Sequence, residues 1–399
     1  MAWKHLPLLL SIEFLLTAIL GCGSSNMMAP PPPPPPSKSE FLYAMTFQPP
    51  TTAQLLAFKL DLSTGTLSAP STTAVPLSLG IVVDPASKFL YLSDGNPVAP
   101  AIDIFSIDPK TGSLTTDGAF LLTAVCVLCP PPSGPGALAM DSMGKFLYYG
   151  SSSFGNGVAQ GIGALTVTAA TGALNQVPGS PFAADDVPII VLVHQSGHFF
   201  YTENTPITPV FPLALQSVSG FSIDSGTGAL APVLGSPFIP PVNGELAGFA
   251  LDPTGKFMYA GTGTAASGIL AWSIDSTTGA LTALPASPFA AGATTAGITI
   301  DPSGKFLYAS NGGGGGILGF TIDAGSGALT PMSGSPFDSA VVIGNQIVDP
   351  SGTILVAVDG KNSAITLFTI DSSTGALTPL GKPTTVTGVP LSLVMAKAP

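Results

Sequence analysis

The chain has no arginine, three histidines, three cysteines and two tryptophans among 399 residues, and only 8% of its residues are charged. Without arginine, and with 11 lysines against 22 acids for a net charge of −11, it has neither the basic surface that nucleic acid requires nor the bidentate forks that grip phosphate. His194 and His198 are spaced H-x-x-x-H, but a zinc site needs a third and a fourth ligand, and no neighbour in sequence offers them. Cys126 and Cys129 form C-x-x-C in "AVCVLCPPPSGPG" with neither a helix start behind them nor a second pair, so a local disulfide or two packed thiols is expected. The sequence contains no G-x-S-x-G elbow, H-E-x-x-H or EF-hand loop, and Gly312 to Gly316 fit neither phosphate fingerprint.

The apolar run from Leu6 to Leu20 is short of the roughly 20 residues that cross a bilayer. Preceded by Lys4 and followed by "ILGC", it reads as an export signal over residues 1–21, with Cys22 as the lipidated start of the mature chain. Glu13 is the one carboxylate in the run. Residues 22–40 form a low-complexity linker holding seven consecutive prolines, Pro30 to Pro36. At the polyproline rise that segment is a stiff spacer of about 20 Å. The expected address is the bacterial cell envelope, anchored by lipid alone and facing the periplasm or the surface.

Residues 41–399 repeat one unit. "DPSGKFLYAS" at Asp301 returns as "DPTGKFMYAG" at Asp252, "DPASKFLYLS" at Asp84 and "DSMGKFLYYG" at Asp141, with worn copies at His194 and Asp349. The spacing of 48 to 58 residues, with several short strands per copy and no helical periodicity, predicts an all-β, seven-bladed propeller of four-stranded antiparallel blades. In each unit an apolar strand a leads through Asp-Pro-x-Gly-Lys to strand b, and strand c leads through Thr-Gly-Ala-Leu to strand d. Both stereotyped turns have backbone explanations: Asp and Pro suit the first turn positions, and glycine takes positive φ. The first unit lacks strand a and the last ends in "PLSLVMAKAP". Leu391 to Met395 are therefore expected to close the ring as the inner strand of the blade begun by Phe41 to Thr46, leaving no open sheet edge. The four "SPF" copies place Phe182, Phe238, Phe289 and Phe337 as plugs between blades.

Alternate connections of an up-and-down sheet share a side, so both stereotyped turns lie on one face and the variable b–c and d–a connections on the other, where function belongs. Strand b ends on that face in Thr46, Asp94, Ser151, Asn204, Thr262, Asn311 and Asp359, polar in all seven copies. Asp185, Asp186, Glu203, Glu245 and Asp338 are expected in loops around them, with Lys361 the one clear cation. Such a mouth suits a sugar, a hydrated ligand or a divalent cation such as calcium, although strand ends that meet water are polar without further cause.

The repeat "DPSGKFLYASN…ILGFTIDAGSGALTPMSGSPF" resembles the lactonase-type seven-bladed propellers, which include a 6-phosphogluconolactonase and lie close to the YVTN surface-protein repeats. The resemblance covers Phe41 to Ala398 and rests on turn and strand letters. It implies the fold more than the activity. Family members acting on phosphorylated or acidic lactones would be expected to use arginine, histidine and carboxylates in the central mouth; this chain has no arginine and no histidine outside His5 and the blade-four turn, so no catalytic residue is carried over. The expected function is a monomeric, lipid-anchored module that binds a small molecule, glycan or protein through its variable face. The alternatives are a lactonase-like hydrolase of a non-phosphorylated lactone or sugar, metal-assisted or not, with Asp94, Glu203 and Asp359 as the groups to test, and a surface protein of adhesion or envelope organisation.

Overall fold

The computed structural model of the chain describes residues 39–398 apart from 49–51, 77, 79, 96–98, 123–133, 153–160, 207–215, 241–245, 264–267, 292–293, 313–314 and 339–342. The signal, Cys22, the proline run, Cys126, Cys129 and Glu245 lie outside the described residues. Among the described residues every regular element is a strand, and the strands form seven antiparallel sheets. Blade 6 shows the common plan: Thr295–Ile300, Phe306–Asn311, Ile317–Ile322 and Leu329–Pro331 pair in that order. Each inner strand touches the inner strands of the blades on either side, so the seven run round a central axis.

The two stereotyped turns are hydrogen-bonded in the way their letters suggest. Asp301 Oδ1 accepts from the amides of Lys305 at 2.9 Å and Phe306 at 2.7 Å, satisfying the first donors of strand b. In the c–d turn, Asp371 Oδ1 accepts the amides of Ser373 and Thr374 and both their hydroxyls. These bonds, that of the Ser373 hydroxyl foremost, hold the Asp371 carboxyl down at about 2.

Each blade meets the next through one apolar cluster, seven clusters for seven joints. Six joints repeat the same lock. The tyrosine of strand b, fully buried, donates its hydroxyl to the glycine carbonyl of the next blade's c–d turn: Tyr43 to Gly112, Tyr91 to Gly172, Tyr148 to Gly228, Tyr201 to Gly279, Tyr259 to Gly327 and Tyr308 to Gly375, at 2.7 to 3.1 Å. The phenylalanine two residues earlier lies against the same glycine. At Gly375, where φ is +74°, an added Cβ would stand 2.5 Å from the Phe306 ring. The Phe-Leu-Tyr triplet and the Thr-Gly-Ala-Leu turn are thus two halves of one joint. Replacing Tyr308 with Phe should cost about 1–3 kcal/mol in a urea melt, because the Gly375 carbonyl keeps its burial and loses its donor; an unchanged midpoint would refute the lock.

The expected closure is present. Val389–Lys397 pairs antiparallel with Ser39–Gln48, placing Leu42 opposite Met395 and Tyr43 opposite Val394, and completes the sheet of Thr52–Asp61 and Thr66–Leu67. The SPF segments also act between blades. Phe182, Phe238, Phe289 and Phe337 sit in the clusters between blades 3 and 4, 4 and 5, 5 and 6, and 6 and 7. Phe238, Phe289 and Phe337 each add a β-bridge to strand c of their own blade.

Candidate functional site

On the variable face the seven polar residues near the ends of strand b sit at one level of the ring. They do not converge. Alternation along strand b puts Asn204 on the side of Phe200, which packs against blade 3, and Asn311 on the side of Leu307, which packs against blade 5. Each of the seven is directed by this alternation toward the preceding blade, and six of them are buried: Thr46, Asn204 and Thr262 are 0% exposed, Asp359 1%, Asn311 6% and Asp94 8%. Ser151 is half-buried. Four of them close their own blades through their side chains. Thr262 donates to the Gly268 carbonyl at 2.9 Å, and the Asn311 amide donates to Gly315 at 2.9 Å. Asp359 accepts the Lys361 and Asn362 amides and the Asn362 side chain. Asn204 donates to Ser217 and Ser219, and Ser217 donates to Asp185 at 2.9 Å.

Of the three carboxyls singled out for test, Asp94 lies in the joint of blades 1 and 2, Asp359 in that of blades 6 and 7, and Glu203 in that of blades 4 and 5. They are not brought together. Asp94 has a neighbour the sequence reading missed: Asp103, half-buried on the adjacent strand, is pushed up to about 6 by burial and then by the Asp94 charge. The two are separated in sequence by residues that say nothing of their pairing, and only the strand register joins them.

Glu203 is not in a loop. It belongs to strand b of blade 4, Phe199–Thr205, on the side of Phe199 and Tyr201, which pack with Leu246, Met258 and Ala260 of blade 5. It is 1% exposed, neither carboxyl oxygen has a hydrogen-bond partner among the described residues, and burial pushes it up to about 8. The equivalent residues of the other blades are Met45, Ser93, Gly150, Gly261, Ser310 and Val358. In blades 3 and 5 the next inner strand leaves no room there: a Cβ on Gly150 would lie 2.3 Å from the Pro188 carbonyl, and on Gly261 2.8 Å from the Thr295 carbonyl. Blade 4 alone places an ionisable group at this position.

The second feature is a ring of bulges. Just below the variable face, the inner strand slips register against strand b in six blades. The slip leaves Leu391, Ile189 and Gly248 without cross-strand partners in blades 1, 4 and 5, and the pairs Gly136–Ala137, Ala296–Gly297 and Gly344–Asn345 in blades 3, 6 and 7. A bulge frees peptide groups from the ladder and re-aims its residue, and bulges gather at barrel rims and sites. None of these residues is charged, four are glycine, and Ile189 and Leu391 are 39% and 40% exposed. No single letter of the repeat announces the slip, which is why the sequence pointed to the strand b ends instead.

The histidine pair is structural at its buried member. His194 Nδ1 accepts from the Ser196 amide, so Nε2 carries the proton and donates to the Gly255 carbonyl at 2.9 Å, tying blade 4 to the first turn of blade 5. Among the described residues, no cluster of three or more His, Cys, Asp or Glu side chains is arranged to hold a metal ion.

Residues 282–393 match the family model described as "Lactonase, 7-bladed beta-propeller". No curated protein sequence matches the chain. Among solved structures, a putative 6-phosphogluconolactonase from Bacteroides uniformis aligns with a TM-score of 0.71 at 18% identity, over 90% of this chain and 100% of its own. The periplasmic gluconolactonase of Pseudomonas aeruginosa aligns at 0.68 and 15% identity, over 90% and 100%. At such identities the likeness is one of fold. Together with the blade repeat it shows the fold of a seven-bladed β-propeller, within which residues 282–393 resemble the lactonase family.

Proposed function

We propose that the protein binds a neutral, hydroxyl-bearing small molecule, such as a sugar or sugar lactone, at the bulge-ringed mouth of the variable face. The carrying observation is the ring itself: six inner strands slip register against strand b near the variable face, and glycine at four of the bulged positions lets a ligand approach the chain closely. Peptide donors and acceptors with apolar walls suit hydroxyls and an uncharged ring. A phosphorylated ligand brings about two negative charges, whose desolvation calls for directed cations. The bulge ring contains none.

Thermal shift against neutral sugars and lactones, set beside their phosphorylated and carboxylated analogues, tests the reading. Only the neutral set should stabilise the protein, and Ile189→Trp, which fills the mouth without entering the core, should weaken the shift at least tenfold in ligand concentration. A larger shift with the anionic set, or an unaltered shift in the Trp variant, would overturn it.

Glu203 favours a second reading at the same mouth, the hydrolysis of a neutral lactone. A carboxyl held neutral to about pH 8 can donate a proton, and a perturbed group beside a ligand mouth is a candidate acid. The expected assay result is turnover of a neutral lactone that is lost in Glu203→Gln, with 6-phosphogluconolactone left at its spontaneous rate with or without calcium. Fast turnover of the phosphorylated lactone in metal-free buffer would overturn the charge argument.

Export and lipid anchoring through Cys22 complete the proposal. The described chain begins at Ser39, the stereotyped-turn end of strand b in blade 1. Cys22→Ser should move the protein from the membrane to the soluble fraction; undiminished membrane association would rule this anchor out.

A further inference from the structure

The seventh joint, between blade 7 and blade 1, departs from the other six. Strand b of blade 7, Ile354–Asp359, has Ile354 and Val356 where the other blades have the locking aromatic and tyrosine. Among the described residues no hydroxyl of blade 7 reaches the turn of blade 1; the Leu380 side chain instead covers Gly65, 2.0 Å from where a Cβ would stand. The cluster of this joint is aliphatic apart from Phe58. It is also where the two ends of the described chain meet, since blade 1 is held together by the pairing of Ser39–Gln48 with Val389–Lys397.

At the stereotyped-turn end of this joint lies Glu40. Lys88, Lys145, Lys256 and Lys305 occupy its position in four other blades, all exposed. Glu40 is 4% exposed, and its Oε2 has no hydrogen-bond partner among the described residues. It shares a side of strand b with Leu42 and Ala44, which face blade 7. The groups around it are few. From blade 7 comes Asp349, fully buried, whose Oδ1 is occupied by the amides of Thr353 and Ile354. From the closing strand comes Lys397, paired with Glu40 in register and exposed. Asp61 lies one pair along on strand c, half-buried and engaged in its own turn. The balance pushes Glu40 up to about 7, by burial first and Asp349 second, against the pull of Lys397.

We propose that the joint of blade 7 and blade 1 is a proton-dependent clasp of the ring, shut while Glu40 carries its proton and loosened when a second buried carboxylate forms beside Asp349. The joint lacks the lock that would hold the other six through such a change, so the loosening stays local. The opening element includes the inner strand that bears the bulged Leu391, so the clasp would change the mouth as well as the seam.

Hydrogen exchange of the full chain between pH 5.5 and 8.5, corrected for intrinsic rates, reads this directly. Protection in residues 39–48, 354–359 and 389–397 should fall at least tenfold more than in residues 257–262 and 306–311 as pH rises. Glu40→Gln should remove the difference. Lys397→Met, which takes away the compensating cation, should move its midpoint to higher pH while leaving the fold intact. Equal pH dependence in all joints, or the same profile in wild type and Glu40→Gln, would overturn the clasp, and so would a Lys397→Met midpoint that stays or moves down. None of these readouts involves a ligand, so failure here leaves the binding proposal standing, and the reverse.

Discussion

A chain ending at Gly388 is expected to lose most of its stability, or not to fold. The missing strand, Val389–Lys397, pairs with Ser39–Gln48 at eight positions and contributes Leu393 and Ala396 to two joints at once. Its removal uncovers Leu42, Tyr43 and Ala44, all 0% exposed in the closed ring. Burying a single leucine-sized side chain is worth about 1.5–3 kcal/mol. Several such losses together rival the roughly 5–15 kcal/mol that holds a typical domain. The unpaired edge of Ser39–Gln48 would also be free to recruit other chains. Circular dichroism melts and sedimentation of the truncated protein check this, and a soluble product with the full-length melting temperature would contradict the closure. A graded companion is Leu393→Ala, expected to cost about 2–5 kcal/mol.

That closure was legible from the sequence because it is a matter of counting: one strand short at one end and one to spare at the other. The turns were legible for a related reason. Asp301, Gly304, Asp371 and Gly375 act on the backbone within a few residues of themselves, so their letters carry their reasons. What the letters could not carry was direction. Glu203 and Asn204 are adjacent, yet one faces blade 5 and the other blade 3. A list of polar letters near the strand ends therefore mixed Glu203, which faces the next blade, with groups such as Thr262 and Asp359 that cap their own blades. The inter-blade lock escaped notice because its halves, Tyr43 and Gly112 for example, stand 69 residues apart. The bulges were hidden more deeply. A slip of one or two residues in an apolar inner strand changes no hydrophobic pattern along a strand that is covered on both sides, and only pairing with strand b reveals it.

Replacing Glu203 with Met, the residue that blade 1 carries at the same position, should stabilise the protein at alkaline pH while impairing ligand binding or turnover. In the folded chain the carboxyl is raised from 4.5 to about 8 by burial, with no partner among the described residues to favour its charge. Below about pH 4.5 it is protonated in folded and unfolded chains alike, and its ionisation costs nothing. Between there and about pH 8 the unfolded chain releases the proton and the folded one keeps it, so stability falls as pH rises and levels off above that range. At about 1.4 kcal/mol per pKa unit the full loss is on the order of 4–5 kcal/mol. Wild type and Glu203→Met should therefore diverge steadily in urea melts from pH 5 to 8.5, the variant being the more stable at the upper end, while Glu40→Gln alters a separate and smaller part of the profile. Parallel pH profiles would mean that Glu203 has partners in solution and an ordinary carboxyl. If the variant is more stable and still binds neutral ligands as the wild type does, Glu203 is a tolerated defect of blade 4. If it is more stable and binding or turnover falls, the carboxyl is held in that joint against the interest of the fold, which is the mark of a group retained for its chemistry.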